Sequence, residues 1–146
     1  MDETIDFVVK RARADVFSGL TDMEMMAKFA QAPDSPVKVS VTAVPDRPRT
    51  GLGSAVTIKV EGAGMDLLME TVEWDPPRRC VRALKSADLD GTVAFDFTDD
   101  PAGTRVSARI TLEAKSFLLK MMLPVLAKKL AAEKGKLTQQ LQDGIA

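Results

Sequence analysis

The sequence predicts an α+β domain in which a seven-stranded antiparallel sheet curves around one long C-terminal helix, with two short helices between strands one and two. Three observations carry this. Apolar residues alternate with polar ones near the N-terminus and again through the middle of the chain, the period of strands with one buried face. Clusters of Gly, Pro and Asp punctuate that middle region about every ten residues, and no helix-length segment interrupts it, so hairpins suit it better than the crossovers of a parallel sheet. The last stretch, from Ser116, keeps a helical period instead.

Ile5, Phe7 and Val9 alternate with Thr4, Asp6 and Lys10 and define strand one, although Val8 on the other face weakens the contrast. From Ala14 the spacing of Val16, Phe17 and Leu20 becomes helical, with Asp15 in the first turn where the helix dipole favours an anion. Thr21 and Glu24 have the spacing of a capping box, which predicts a second short helix carrying Met25, Met26 and Phe29. After AQAPDSP the strand period returns with Val37, Val39, Val41 and Ala43. The turn signals PDRPRTGLG, EGAG, WDPPR, SADLDG and TDDPAG leave room for six strands near 37–45, 54–61, 65–74, 80–86, 92–98 and 104–113. In the final helix Leu119, Met122, Leu123, Leu126, Leu130, Leu137 and Leu141 fall within about 60° of Leu126, one apolar stripe to lie on the sheet.

The chain has 146 residues, 45% apolar and 28% charged, which fits one domain spanning 1–146. Net charge is −1, so no basic excess supports a nucleic-acid partner. There is no histidine, no tyrosine and one cysteine, which removes His-dependent triads, His metal sites, CxxC redox pairs and an intramolecular disulfide; no metal or cofactor is expected. The start MDETIDFVVK lacks a basic region followed by an apolar one, which predicts a cytoplasmic protein. Lone Cys80 reads as a small buried hydrophobe in a reducing compartment. The densest apolar run, Phe117 to Ala127, is too short to cross a bilayer and is broken by Lys120 and Pro124.

Four strings in this order resemble the SRPBCC superfamily, the START/Bet v 1-like helix-grip fold that includes bacterial polyketide cyclase/dehydrase-like proteins. ADVFSGLTD at 14–22 is similar to the first helix and its exit, and GLGSAVTI at 51–58 to the start of the third strand. EWDPPRRC at 73–80 resembles the hairpin after the fourth strand, and GTRVSARITLE at 103–113 the seventh strand. The resemblance covers essentially the whole chain and implies an apolar cavity between sheet and long helix, able to hold a lipid or polyketide-like molecule. It implies no single chemistry, because such folds host carriers, receptors and enzymes. The lining it implies here is Met26 and Phe29 from the second helix, Val56, Ile58, Leu67, Met69, Phe95 and Phe97 from strands, and Leu119, Met122, Leu123, Leu126, Leu130 and Glu133 from the last helix. Such proteins often carry Trp in the second helix; Met26 and Phe29 keep the bulk and lose the indole donor.

Glu133 lies about 20° from Leu126 on the apolar stripe, so it reads either as a polar anchor or general acid/base in the cavity, or as a surface residue of a slightly rolled helix. Strand 65–74 mixes parities: Met65, Leu67 and Met69 on one face, Leu68, Val72 and Trp74 on the other. A bulge would reconcile them, and its position decides whether Glu70 or Glu73 turns inward toward Arg82 or joins a solvent-side ion pair. An inward carboxylate with Arg82 would be the minimal equipment for an aldol or dehydration step on a polyketone. Methionines 25, 26, 65, 69, 121 and 122 suit either an adaptable cavity wall or irregular core gaps. Phe117, Leu118, Met121 and Val125 fall off the buried stripe and need a cavity mouth, a homodimer contact or a membrane surface, with Lys120, Lys128 and Lys129 nearby. DLDGT at 88–92 has the letters of a phosphatase box without the preceding apolar strand, so it reads as a hairpin turn.

Three functions remain. The first is binding or transfer of a hydrophobic small molecule; the second is a polyketide cyclase/dehydratase-like enzyme using Glu133, Glu70 or Glu73 with Arg82; the third is a membrane or partner contact through 117–126. Nothing in the residues demands catalysis, and the missing His and Tyr weigh toward the first.

Overall fold

A computed structural model describes residues 1–22, 39–60 and 65–132, together with 135 and 139, although not every side chain within them. Strand β1 (Asp2–Val9) leads to helix α1 (Arg13–Thr21). Six strands follow: β2 (Val39–Ala43), β3 (Ala55–Val60), β4 (Met65–Asp75), β5 (Arg79–Lys85), β6 (Leu89–Asp100) and β7 (Gly103–Ala114). Helix α2 (Phe117–Ala132) comes last and continues through Pro124.

The strands form one sheet in the order β1-β7-β6-β5-β4-β3-β2, every neighbouring pair antiparallel. From β2 to β7 each strand pairs with its predecessor, so five hairpins build most of the sheet from local contacts, and only β1 has to return across the chain to β7. The predicted strands agree with this to within a few residues, the largest difference being at β6. SADLDG turns earlier than expected, at Ser86–Asp88, because the Ser86 hydroxyl accepts hydrogen bonds from the amides of Asp88 (3.2 Å) and Leu89 (2.9 Å). Asp90 and Gly91 are therefore strand residues. Gly91 is required there, since a Cβ would come within 2.6 Å of both the Leu112 side chain and the Thr111 carbonyl on β7.

The core lies where β1, β5, β6 and β7 face α1. Ile5, Phe7 and Val9 stand opposite Ala108, Val106 and Thr104 in register, so the alternation read in strand one is the inner face of the sheet. Val16, Phe17 and Leu20 of α1 close over Phe97, Cys80 and Val106. Phe17 meets Phe97 edge-on at 5.1 Å and Trp74 at 5.0 Å, the geometry aromatic quadrupoles favour. Burying each such side chain contributes roughly 1.5–3 kcal/mol.

Thr21 belongs to the last turn of α1, and its hydroxyl donates to the Phe17 carbonyl at 2.7 Å. The second short helix expected after it, with Met25, Met26 and Phe29, lies outside the described residues, as does Glu133.

Candidate functional site

Strand β4 decides what the concave face of the sheet presents. Its pairing with β5 slips between Thr71 and Glu73, leaving Val72 as the extra residue of a β-bulge. Trp74 is three positions beyond Thr71, which in a regular strand would put them on opposite faces; the bulge puts both on the inner face. Thr71 is opposite Arg82 and Trp74 is opposite Cys80, and both partners are buried on the inner face of β5. The parity conflict in 65–74 is thereby resolved, and Trp74 is aimed at α1.

Glu70 and Glu73 consequently both face outward, whereas either one was expected to turn inward. Glu70 pairs with Arg47 at 3.4 Å, and Glu73 with Arg79 at 3.1 Å. Arg79 also takes Asp96 with two bonds of 2.7 and 2.8 Å, an outer-face triad that raises the pKa of Arg79, chiefly through the Asp96 bond. Arg82 alone of these candidates is inside, 2% exposed. Its Nη2 donates to the Thr21 carbonyl at 2.5 Å, placing a cation at the C-terminus of α1, where the helix dipole is negative. Burial lowers the pKa of Arg82, opposed by the neighbouring Cys80 and Asp22. Burial likewise raises the pKa of the Cys80 thiol.

Above this arginine a cleft of about 920 Å³ opens between the C-terminal half of α1 and the 43–50 segment. Phe17, Trp74, Ala55 and Val56 provide apolar wall, joined by Val44, Pro45 and Pro48 from the loop after β2. Thr21 and Asp22 at the end of α1, and Asp46, Arg47 and Arg49 on the loop, give the cleft its polar groups. The volume is within the range of small-molecule sites, and charged and hydroxyl side chains share the wall with the apolar ones.

The loop is held rather than loose. Gly53 donates to the Thr71 carbonyl at 3.0 Å, and Thr71 donates back to Ser54 at 2.8 Å. The buried Ser54 and Thr71 hydroxyls are 2.8 Å apart, and Ser54 Oγ donates to the Gly51 carbonyl at 2.7 Å. Gly51 has φ 85°, a conformation that favours glycine, and lies beside the Trp74 indole. GLGS is thus pinned to β4, which places the loop beside the tryptophan.

Of the expected lining, Val56 is on the cleft wall. Phe97 is buried in the core behind Phe17, and Leu67 and Met69 are buried on the same inner face farther along β4. Ile58 stands opposite Leu67 and is half-buried, as is Phe95, which packs beside Phe97. Leu119 and Leu123 are half-buried, and Leu123 borders a second, smaller groove of about 400 Å³ with Met1, Leu112 and Pro124. The side chains of Met122, Leu126 and Leu130 are outside the description, as are Met26, Phe29 and Glu133. Phe17, Trp74 and the 43–50 wall were absent from the expected lining. In the sequence PDRPRTGLG signals only a turn, and the orientation of Trp74 depends on a bulge whose position the alternation leaves open.

Among the described residues no three His, Cys, Asp or Glu side chains are grouped to hold a metal ion, and no helix is long and apolar enough to cross a membrane.

Comparison with known proteins adds a family and a fold. The family described as Activator of Hsp90 ATPase homolog 1-like protein matches residues 10–131. No curated protein matches the chain in sequence. Among solved structures, TTHA0849 from Thermus thermophilus is similar at 19% identity, covering 99% of this chain and 97% of its own, with a TM-score of 0.73. A conserved protein from Geobacillus kaustophilus shares 16% identity over 99% and 95% of the two chains, TM-score 0.67. Ara h 8.0201 shares 12% over 99% and 94%, TM-score 0.64. At these identities the likeness is one of fold.

Proposed function

Because the chain belongs to the Activator of Hsp90 ATPase homolog 1-like family, in the START/Bet v 1-like SRPBCC superfamily, we propose that it binds a small hydrophobic molecule in the cleft between α1 and the 43–50 loop and carries it without chemical change. The observation that carries this reading is the cleft itself, about 920 Å³ with Phe17, Trp74 and Val56 on its wall. In this reading the apolar surface continues from the cleft along the concave face over Ile58, Leu67, Met69 and Phe95, with α2 closing it in the helix-grip manner. Polyketide-like and lipid-like molecules both fit such a wall. A cytoplasmic setting belongs to the same reading and rests on the single buried Cys80.

A cyclase or dehydratase step would need a carboxylate beside a guanidinium on the cleft wall. Glu70 and Glu73 are on the opposite face of β4, paired with Arg47 and Arg79, and Arg82 holds the end of α1. This removes the pairing of Arg82 with a strand carboxylate; the cleft's own charged groups are Asp22, Asp46, Arg47 and Arg49, and the binding reading rests on the apolar wall beside them.

Trp74 is the only tryptophan, and there is no tyrosine, so protein emission reports on the cleft alone. Titration with 8-anilinonaphthalene-1-sulfonate is expected to quench Trp74 by energy transfer to the bound dye. Ala43→Phe, a bulky side chain added at an exposed cleft position, should weaken that titration while leaving the circular dichroism spectrum unchanged. Native mass spectrometry of freshly purified protein should show an apolar adduct that is lost on denaturation. Absence of energy transfer, or binding that Ala43→Phe does not weaken, would move the ligand out of this cleft.

A further inference from the structure

We propose that the outward face of α2 docks on an anionic lipid bilayer surface, an interaction separate from the cleft. Phe117, Met121 and Val125 are 79%, 62% and 68% exposed. Their spacing of four places them in one row along the helix, within a wedge of about 80° at about 100° per residue. Leu119 and Leu123 point the other way and are half-buried, Leu123 beside Met1 and Leu112. Among the described side chains of α2, Leu119 and Leu123 face the protein, and Phe117, Met121 and Val125 face away from it. A row of Phe, Met and Val left in water is the feature of a contact surface.

Charge identifies the occupant. From residue 115 to 132 the chain carries four lysines and no aspartate or glutamate. Lys115 is engaged by Asp90 at 3.0 Å and by the Ser86 carbonyl. Lys120 and Lys128 are exposed and form no ion pair among the described residues. At about 100° per residue Lys128 lies about 20° from Phe117 and Lys120 about 60° to its other side, so both border the apolar row. Lysines that carry their ammonium groups outward beside an apolar strip suit phospholipid headgroups, with the stems and the Phe117 ring at the acyl boundary. A second copy of this chain would meet the same lysines head to head, so like charges oppose self-association through this face.

The test is co-sedimentation with vesicles of phosphatidylserine and phosphatidylcholine, against vesicles of phosphatidylcholine alone. The protein should bind the mixed vesicles, bind neutral ones more weakly, and release with added salt. Phe117→Ser with Met121→Ser should abolish binding, and Lys120→Gln with Lys128→Gln should weaken it about tenfold or more on the mixed vesicles. All four substituted side chains are exposed, and unchanged circular dichroism together with unchanged dye transfer from Trp74 will show that each variant is folded. Failure of the wild-type protein to bind mixed vesicles overturns the proposal, as does equal binding to both vesicle types. Concentration-dependent dimerisation that Phe117→Ser with Met121→Ser removes, without vesicle binding, gives the face to a second copy and overturns it as well.

Discussion

Loop 43–54 depends on two hydroxyls, and a double-mutant cycle measures how much. Ser54 and Thr71 are 2% and 1% exposed, with their oxygens 2.8 Å apart. Ser54 has one hydroxyl hydrogen and donates it to the Gly51 carbonyl, so Thr71 is the donor in the pair. Thr71→Val keeps the shape and leaves Ser54 Oγ without its incoming donor; Ser54→Ala leaves the Thr71 hydroxyl without an acceptor. Ser54→Ala leaves a buried hydroxyl unsatisfied and should cost about 1–3 kcal/mol, whereas Thr71→Val, in which the Ser54 hydroxyl keeps its bond to Gly51, should cost about 0.5–1.5 kcal/mol. The double variant removes both partners together and should cost less than the sum, with a coupling of about 1 kcal/mol. For a chain of this size 1 kcal/mol corresponds to about 3 °C in Tm. Urea titration followed by Trp74 emission gives all four stabilities, and Trp74 sits beside Gly51, so the native baseline also reports on the loop. If the single losses sum to the double within about 0.3 kcal/mol, the pair is not coupled and the hydroxyls do not hold the loop.

Arg82→Met should destabilise the fold by about 1–3 kcal/mol, because the Thr21 carbonyl loses a charged donor, while removal of a buried cation offsets part of that loss; equal or higher stability in urea would show that the arginine does not hold the end of α1. Glu73→Gln should leave dye binding in the cleft unchanged and stability within about 0.5 kcal/mol, as an outer-face pair does; loss of binding would return that carboxylate to the site. Gly103→Ala should cost more than about 1 kcal/mol by thermal melting, since φ is 141° and a Cβ would collide with the Val9 carbonyl and come within 2.9 Å of the Arg11 amide. A neutral result would mean that the β6–β7 turn can leave β1 at little cost.

The strands and α1 were legible in the sequence because what specifies them is local. Alternation of Ile5, Phe7 and Val9 needs only the pleat to become one buried row, and Val16, Phe17 and Leu20 need only the helical turn. WDPPR and TDDPAG carry their own turn chemistry: Arg78 donates back to the Asp75 carbonyl, and the Asp100 carboxylate accepts from the Ala102 amide. The exclusion of His-based chemistry and of a disulfide likewise follows from residue counts alone. The exposed row of Phe117, Met121 and Val125 was also visible beforehand, as angle on a helix.

Facing, pairing and enclosure required the assembled sheet. Alternation in β4 called for a bulge and left its position open, and one residue of slippage exchanges the two faces of a strand. Register with β5 puts the slip at Val72, which turns Trp74 inward, sends Glu70 and Glu73 out, and leaves Arg82 opposite Thr71 rather than a carboxylate. The cleft brings Phe17, the 43–50 loop and Trp74 together from three distant parts of the chain. Periodicity describes each segment about its own axis and contains no distance between segments, so a wall built from three of them exists only once hairpin pairing and the seat of α1 have set those distances.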